Sequence, residues 1–425
     1  MWPTSYAKRV ANDLENWVEK GWVAAENAPN ILASLDKEDT PSKLPVVITI
    51  LGAVLIGFSA MAFVAANWAE MSKGLRLGIL GLAMWSAYGA AVFLHFRNHV
   101  AFTEAAFVVG VALFGANIML IGQMYHLPQD FPAGLLAWSL GGLVTAWTVQ
   151  SRAALAATQL LLMGWTSAVF LEGDTHLMYL LPWAASALLA YRLDWNPAKH
   201  LAVISIIIWL IGNSAMLAES LGLGLIELLT VQSSVFGLIW LIGIVGEERQ
   251  QPFARALQGY AAITLLVRFW LSHVVDDGLE EGAGYLVPAL SVVILLGAAV
   301  FAFARTKMLA PQDVIAFVAF PVGILLSGAL TNADGDVPLI LTAPLFLILC
   351  VWLVALGTRF QNRFLINLGF AAFGGEALYL YLETFGTLLD TAAFFAIGGV
   401  LLIAGGFVWE RLRRRATATQ TEASS

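Results

Sequence analysis

The sequence predicts an all-α fold: a polytopic transmembrane helical bundle of about 14 spans, preceded by a small N-terminal cytosolic helical segment. Three observations predict it. Hydrophobic residues make up 59% of the chain and charged residues only 12%, against about 25% charged in a soluble domain. No soluble fold could cover that much apolar surface. From Leu44 onward, apolar runs alternate with short polar breaks, and each run is close to the roughly 20 residues needed to cross a hydrocarbon core about 30 Å thick. The basic residues then fall on alternate breaks, as the charge bias of cytoplasmic loops requires.

Residues 1–43 read as two short helices. Tyr6, Val10, Leu14, Trp17 and Val18 recur at helical spacing, opposite Lys8, Arg9, Asp13, Glu15 and Glu19. Gly21 is placed to stop the first helix, and "APNILASLDKED" reads as a second, shorter one. This segment is expected to form a cytosolic amphipathic cap. It shows no charged n-region, h-region and cleavage site, so no cleavable signal peptide is expected, and the first apolar run should act as its own anchor. The transmembrane domain, 44–409, contains runs at 44–66, 76–95, 100–122, 132–149, 153–171, 176–192, 200–218, 223–245, 254–274, 285–304, 312–330, 337–357, 364–382 and 389–409. Residues 410–425, "ERLRRRATATQTEASS", read as a basic, disordered cytosolic tail.

With the N-terminus inside, 19 lysines and arginines fall on the inner side and 2, Lys73 and Arg76, on the outer side, with Arg268 inside a span. That bias predicts an even span count and both termini cytoplasmic. The outer breaks "VVDDGLEEGAG" and "TNADGDVP" carry carboxylates and no base. Cys350, the single cysteine, lies in an apolar run, so no intrachain disulfide is possible.

The stretch "GQMYHLPQD" sits at the outer end of the third run. Tyr125 falls at headgroup depth, where aromatic rings prefer to lie. Pro128 cannot continue a helix, and Asp130 is placed to cap the next one ahead of Pro132. Helix exit and re-entry leave Gln123 and His126 unexplained. The first run ends on the same side at "AANWAE", so Asn67, Trp68, Glu70, Gln123, Tyr125, His126 and Asp130 form a candidate outer-face cluster. Histidine changes charge near physiological pH, which makes a pH-sensing or ligand-binding patch one reading and a hydrogen-bonded clamp the other.

Three separated segments carry a resemblance. "FVAANWAEMSKGLRL", "GANIMLIGQMYHLPQDFPAGLLAW" and "QSRAALAATQLLL" together resemble the bacterial membrane-protein family catalogued as domain of unknown function 2157. Its members show "AANW" ending the first span, then GQ-aromatic-hydrophobic followed by Asp, then an "RSRALA"-like turn. The likeness covers about residues 1–170, with Gln150-Ser151 standing where Arg-Ser is expected. It implies a bacterial inner-membrane protein and no particular activity. It also implies a partner, a second membrane protein with a GDYxxLxY motif.

Ionisable residues within spans cost about 2.5–3.5 kcal/mol each on insertion scales, which makes them functional candidates. Glu104, Glu227, Arg268 and Glu376 are such candidates. Glu104 lies near the inner end of its run and can reach water. Glu227 and Arg268 lie near the outer ends of neighbouring runs and are expected to pair. Glu376 is the deepest, with Tyr379 and Tyr381 following it, and Gly374 and Gly375 before it are expected to permit close backbone approach. A proton relay and a neutral, helix-linking glutamic acid are both open for it. Asn117, Asn213, Thr230 to Ser234, Pro321 and Pro344 place further polar or helix-breaking groups within runs.

There is no Walker-type loop, no CxxC and no GxSxG elbow, and His95 with His99 lack a third ligand. The extramembrane segments are too short for a catalytic domain. The expectation is therefore a non-enzyme without cofactor or metal and without nucleic-acid partners. A small-solute transporter or channel-like protein, coupled to protons through Glu376, is the first functional reading. A non-transporting scaffold, assembly factor or sensor subunit is the second.

Overall fold

The computed structural model describes residues 5–35, 44–67, 71–126, 130–274, 286–330 and 337–384. Among these residues every regular element is helical. The chain divides into two units, Met1–Leu127 and Pro128–Ser425.

In the first unit, α1 (Ser5–Glu19) buries Leu14 and exposes Asp13, Glu15 and Glu19. Gly21, at φ 72°, ends it, and the Trp22 amide donates to the Trp17 carbonyl at 2.9 Å. That six-residue closure needs a left-handed residue, which glycine supplies without a side-chain clash. A single 3-10 turn, Ala25–Asn27, leads into α2 (Ala28–Leu35), which packs on α1. Helices α3 (Leu44–Asn67), α4 (Lys73–Phe96) and α5 (Val100–Tyr125) follow, with α5 packed against both α3 and α4. Gly110 of α5 lies against the Tyr88 ring, so close that an added Cβ would be 2.9 Å from it.

The second unit holds α6 (Phe131–Val149), α7 (Arg152–Leu171), α8 (Leu180–Arg192), α9 (Asn196–Leu221) and α10 (Leu225–Glu248). It continues with α11 (Ala254–Val274), α12 (Leu286–Arg305), α13 (Pro311–Leu330), α14 (Val337–Arg359) and α15 (Arg363–Thr384). Asp130 caps α6, as expected, by accepting from the Ala133 amide at 2.8 Å, and Pro132 fits the first turn, where no amide is needed. Ser151 caps α7 in the same way at 3.0 Å. Several tight connections turn on a polar residue in the left-handed region: Asn98, His126, Gln150, Asp194, Gln250 and Gln361.

Ten of the described helices are long and apolar enough to cross a membrane: α4 to α7, α9, α10 and α12 to α15. Four of the 14 expected runs are not among these ten. Helix α8, at 13 residues, is too short to span alone. Arg255, Gln258, Arg268 and His273 lower the mean hydropathy of α11. Helix α3, 24 residues long and without a charged residue, has its side chains described continuously only over Val47–Ser59. The run 389–409, the tail 410–425 and the acidic breaks 275–285 and 331–336 lie outside the described residues. The exteriors remain apolar: Leu82 and Ile315 are each 71% exposed. Surfaces of that kind contact lipid.

Helix α11 explains how a span-like element tolerates polar residues. It packs against α9, α10, α13, α14 and α15, so protein rather than hydrocarbon surrounds it. The core of this unit forms around it, with Trp240, Phe269, Phe317 and Phe320 fully buried.

Candidate functional site

The C-terminal end of α11 and the C-terminal half of α15 bring together two titratable side chains. His273 Nδ1 lies 3.1 Å from Glu376 Oε1, and both side chains are completely buried. The distance is that of an ion pair, yet the angles are not those of a hydrogen bond. Neither ring nitrogen of His273 and neither oxygen of Glu376 has a hydrogen-bond partner among the described residues. The Tyr379 hydroxyl, one turn beyond Glu376, donates to the His273 backbone carbonyl at 3.1 Å and so ties α15 to α11 beside the pair.

The surroundings are aromatic. Phe269 meets the His273 ring edge-on at 5.2 Å, and Phe346 lies 5.9 Å from it. Gly323 on α13 seats Phe269: a Cβ there would be 2.3 Å from the ring. Trp270 meets Tyr379 edge-on at 5.8 Å. The pair thus sits in an apolar pocket built by four helices, α11, α13, α14 and α15.

Proton number governs the charge of such a site. With one proton the pair is neutral overall, whether drawn as imidazolium with carboxylate or as imidazole with carboxylic acid. Losing that proton leaves a net negative charge, and gaining another leaves a net positive one. Each charged state is expensive in a site lined by phenylalanine. The sequence singles out Glu376 with Tyr379 but does not single out His273. A usable signal was present: His273 and Glu376 lie in the outer halves of the ninth and thirteenth runs, which point the same way.

A second buried charge lies at the other end of α13 and α14. Asp313 is fully buried, and its Oδ1 accepts from Trp352 Nε1 at 2.8 Å and from the Arg359 guanidinium. Its Oδ2 accepts from the Ala310 amide at 2.7 Å, which closes the first turn of α13 from within. All the contacts that Asp313 makes are satisfied ones, which marks a structural latch. Sequence reasoning missed it because Asp313 resembles an ordinary first-turn carboxylate.

The other sequence candidates fall differently. Glu227 is fully buried on α10, but no ion pair joins it to Arg268 among the described residues, so the expected pairing is not found. Buried Gln232 and Ser234 on α10 instead make the cross-helix contacts, to Ser214 at 2.8 Å and from Ser291 at 3.0 Å. Gly374 and Gly375 have no atom within 4 Å of an added Cβ among the described residues, so the close approach expected there is not seen. Gly369, one face away, shows one: a Cβ there would be 3.0 Å from the Cys350 carbonyl. Glu104 is half-buried near the start of α5.

Of the outer-face cluster, Trp68 and Glu70 lie outside the described residues, and so does the side chain of Asn67. Gln123, Tyr125 and His126 are exposed at the end of α5, where Lys73 Nζ lies 5.4 Å from the Tyr125 ring centre. His126 is the left-handed C-cap of α5, at φ 53°. Its backbone therefore supplies the helix exit. Asp130 belongs to the second unit, where it caps α6.

The segments that carry the family resemblance are thus helix ends: the end of α3, the His126 exit, the Asp130 cap and the Gln150-Ser151 turn. Residues 15–155 match the family described as Predicted membrane protein (DUF2157). The DUF2157 match runs from within α1 to the first turn of α7, so it covers all of α2 to α6 and stops well before His273 and Glu376. Neither a curated protein nor a solved structure matches the chain.

Proposed function

We propose that the chain is a proton-coupled transporter or channel-like protein for a small solute, acting in the bacterial inner membrane with both termini cytoplasmic. The observation that carries this reading is the buried His273–Glu376 pair. Intramembrane acid–base pairs are expensive, and proton relays are a recurrent reason for keeping them. Pro321 within α13 and Pro344 within α14 each remove a backbone donor from a continuous helix beside it. The span count of about 14 and the 19-to-2 loop bias belong to the same proposal. Nothing in it requires enzymatic chemistry.

Solute-evoked currents test the reading. Purified protein in proteoliposomes on a solid support would be exposed to classes of small solutes: amino acids, sugars, organic acids and inorganic ions. At least one class should give a transient current in the wild type that Glu376→Gln abolishes at equal incorporation. Currents that survive in Glu376→Gln, or their absence for every class in the wild type, count against it.

A second reading draws on the dryness of the same site. Phe269 and Phe346 enclose the pair, and neither side chain is exposed. That packing suits a non-transporting scaffold, assembly or sensor subunit, working with a partner membrane protein bearing a GDYxxLxY motif. Co-purification of that partner from native membranes, in the absence of solute currents, would favour this reading.

A further inference from the structure

A second site lies in the second unit, away from the His273–Glu376 pair. A cavity of about 440 Å³ opens where α9 begins and where α10 turns into α11. Its polar lining includes Asn196, Lys199, His200, Glu247, Gln251 and Arg255. The volume lies within the roughly 300–1,000 Å³ of small-molecule sites, more than a bare ion needs.

The charges there are arranged rather than scattered. The Lys199 side chain is only 6% exposed, so its stem is fixed by packing and its ammonium is delivered to one place. There it meets Asp194, which is 86% exposed, and Asn196 at 3.4 Å. Arg255 is held through its Nε alone, 2.9 Å from Glu247 Oε1. Its two terminal amino groups keep the planar fork that matches an oxyanion. Glu247 is itself committed: Oε1 to Arg255, and Oε2 to Gln258 Nε2 at 2.7 Å. It therefore orients the guanidinium more than it repels an anion. Asn196, Gln251 and His200 add polar groups to the lining.

We propose that this cavity binds a phosphate group, with Lys199 and Arg255 clasping the oxygens and Glu247 holding Arg255 in position. The group arrives either on an anionic lipid headgroup or as soluble phosphate. Thermal unfolding of the full chain in a phosphate-free maltoside detergent separates these sources. Inorganic phosphate and phosphatidylglycerol are the probes; chloride at equal ionic strength and diacylglycerol are their controls. A saturable rise in unfolding temperature with inorganic phosphate assigns a soluble source, and a rise with phosphatidylglycerol alone assigns the lipid. In either case Arg255→Gln should weaken the apparent Kd by about tenfold or more, and Arg255→Lys, which keeps the charge but loses the fork, should fall between. The Arg255 side chain is 83% exposed, so these variants should fold normally. Shifts no larger than those of the controls, or wild-type affinity in Arg255→Gln, overturn the proposal.

Discussion

At the scale of single residues, two carboxylates show how environment sets a role. Asp194 is exposed, and Lys199, by hydrogen bond and then by charge, with Arg152 adding charge, holds its carboxyl below the usual aspartate range. A folded-state value lowered in this way stabilises the protein above the unfolded aspartate value of about 3.9. The contribution disappears as pH falls through the lower, folded value. Asp194→Asn should therefore lower the unfolding temperature slightly at neutral pH, and the gap between variant and wild type should close as pH drops below about 3.9. A gap that persists at lower pH would mean that the contact is not ionic. Asp313, by contrast, is fully buried with every contact satisfied. Arg359→Ala would leave its charge buried, a change expected to cost about 3–5 kcal/mol. Protein yield and unfolding temperature check this, and a wild-type unfolding temperature in Arg359→Ala would show that the latch contributes little.

At the scale of elements, helix ends were the most legible part of the sequence. Asp130 ahead of Pro132, and Gly21 after a helical pattern, are local chemistry, and local chemistry is what a linear sequence displays. The contacts between elements were less legible. The expected Glu227–Arg268 pair rested on matching depth, and depth does not say which faces of α10 and α11 meet. Glycine misled for the same reason. Gly374 and Gly375 stand next to Glu376 in sequence, yet the close approaches are at Gly369 and Gly323, whose neighbours come from other helices. Gly323→Ala tests that packing directly. Its Cβ would fall 2.3 Å from the Phe269 ring, so the ring that packs on His273 must shift. Overpacking of this kind is expected to cost about 1–3 kcal/mol. Gly374→Ala, whose Cβ would have no atom within 4 Å among the described residues, should change stability far less. Equal effects of the two substitutions would contradict the assignment of Gly323 as the seat of Phe269.

At the scale of the whole molecule, composition was decisive for class and silent on activity. An exterior this apolar needs lipid, and hydropathy shows it. Helix α11 escapes the same reading because Gln258 and His273 are buried against protein while Arg255 is exposed near its start: an element that builds the candidate site has a hydropathy too low for a span. On the proposed topology a reporter fused after Ser425 should report a cytoplasmic location; a periplasmic signal would reverse the assignment of inner and outer ends.

The central claim is that His273 and Glu376 bind protons as a unit inside this apolar setting. Infrared difference spectroscopy of the reconstituted protein across a pH step measures it most directly. The account predicts a carboxylic-acid carbonyl band that changes with pH in the wild type, is absent in Glu376→Gln and is displaced in His273→Gln. A band unchanged in Glu376→Gln, or no pH-dependent carbonyl band in the wild type, would contradict it.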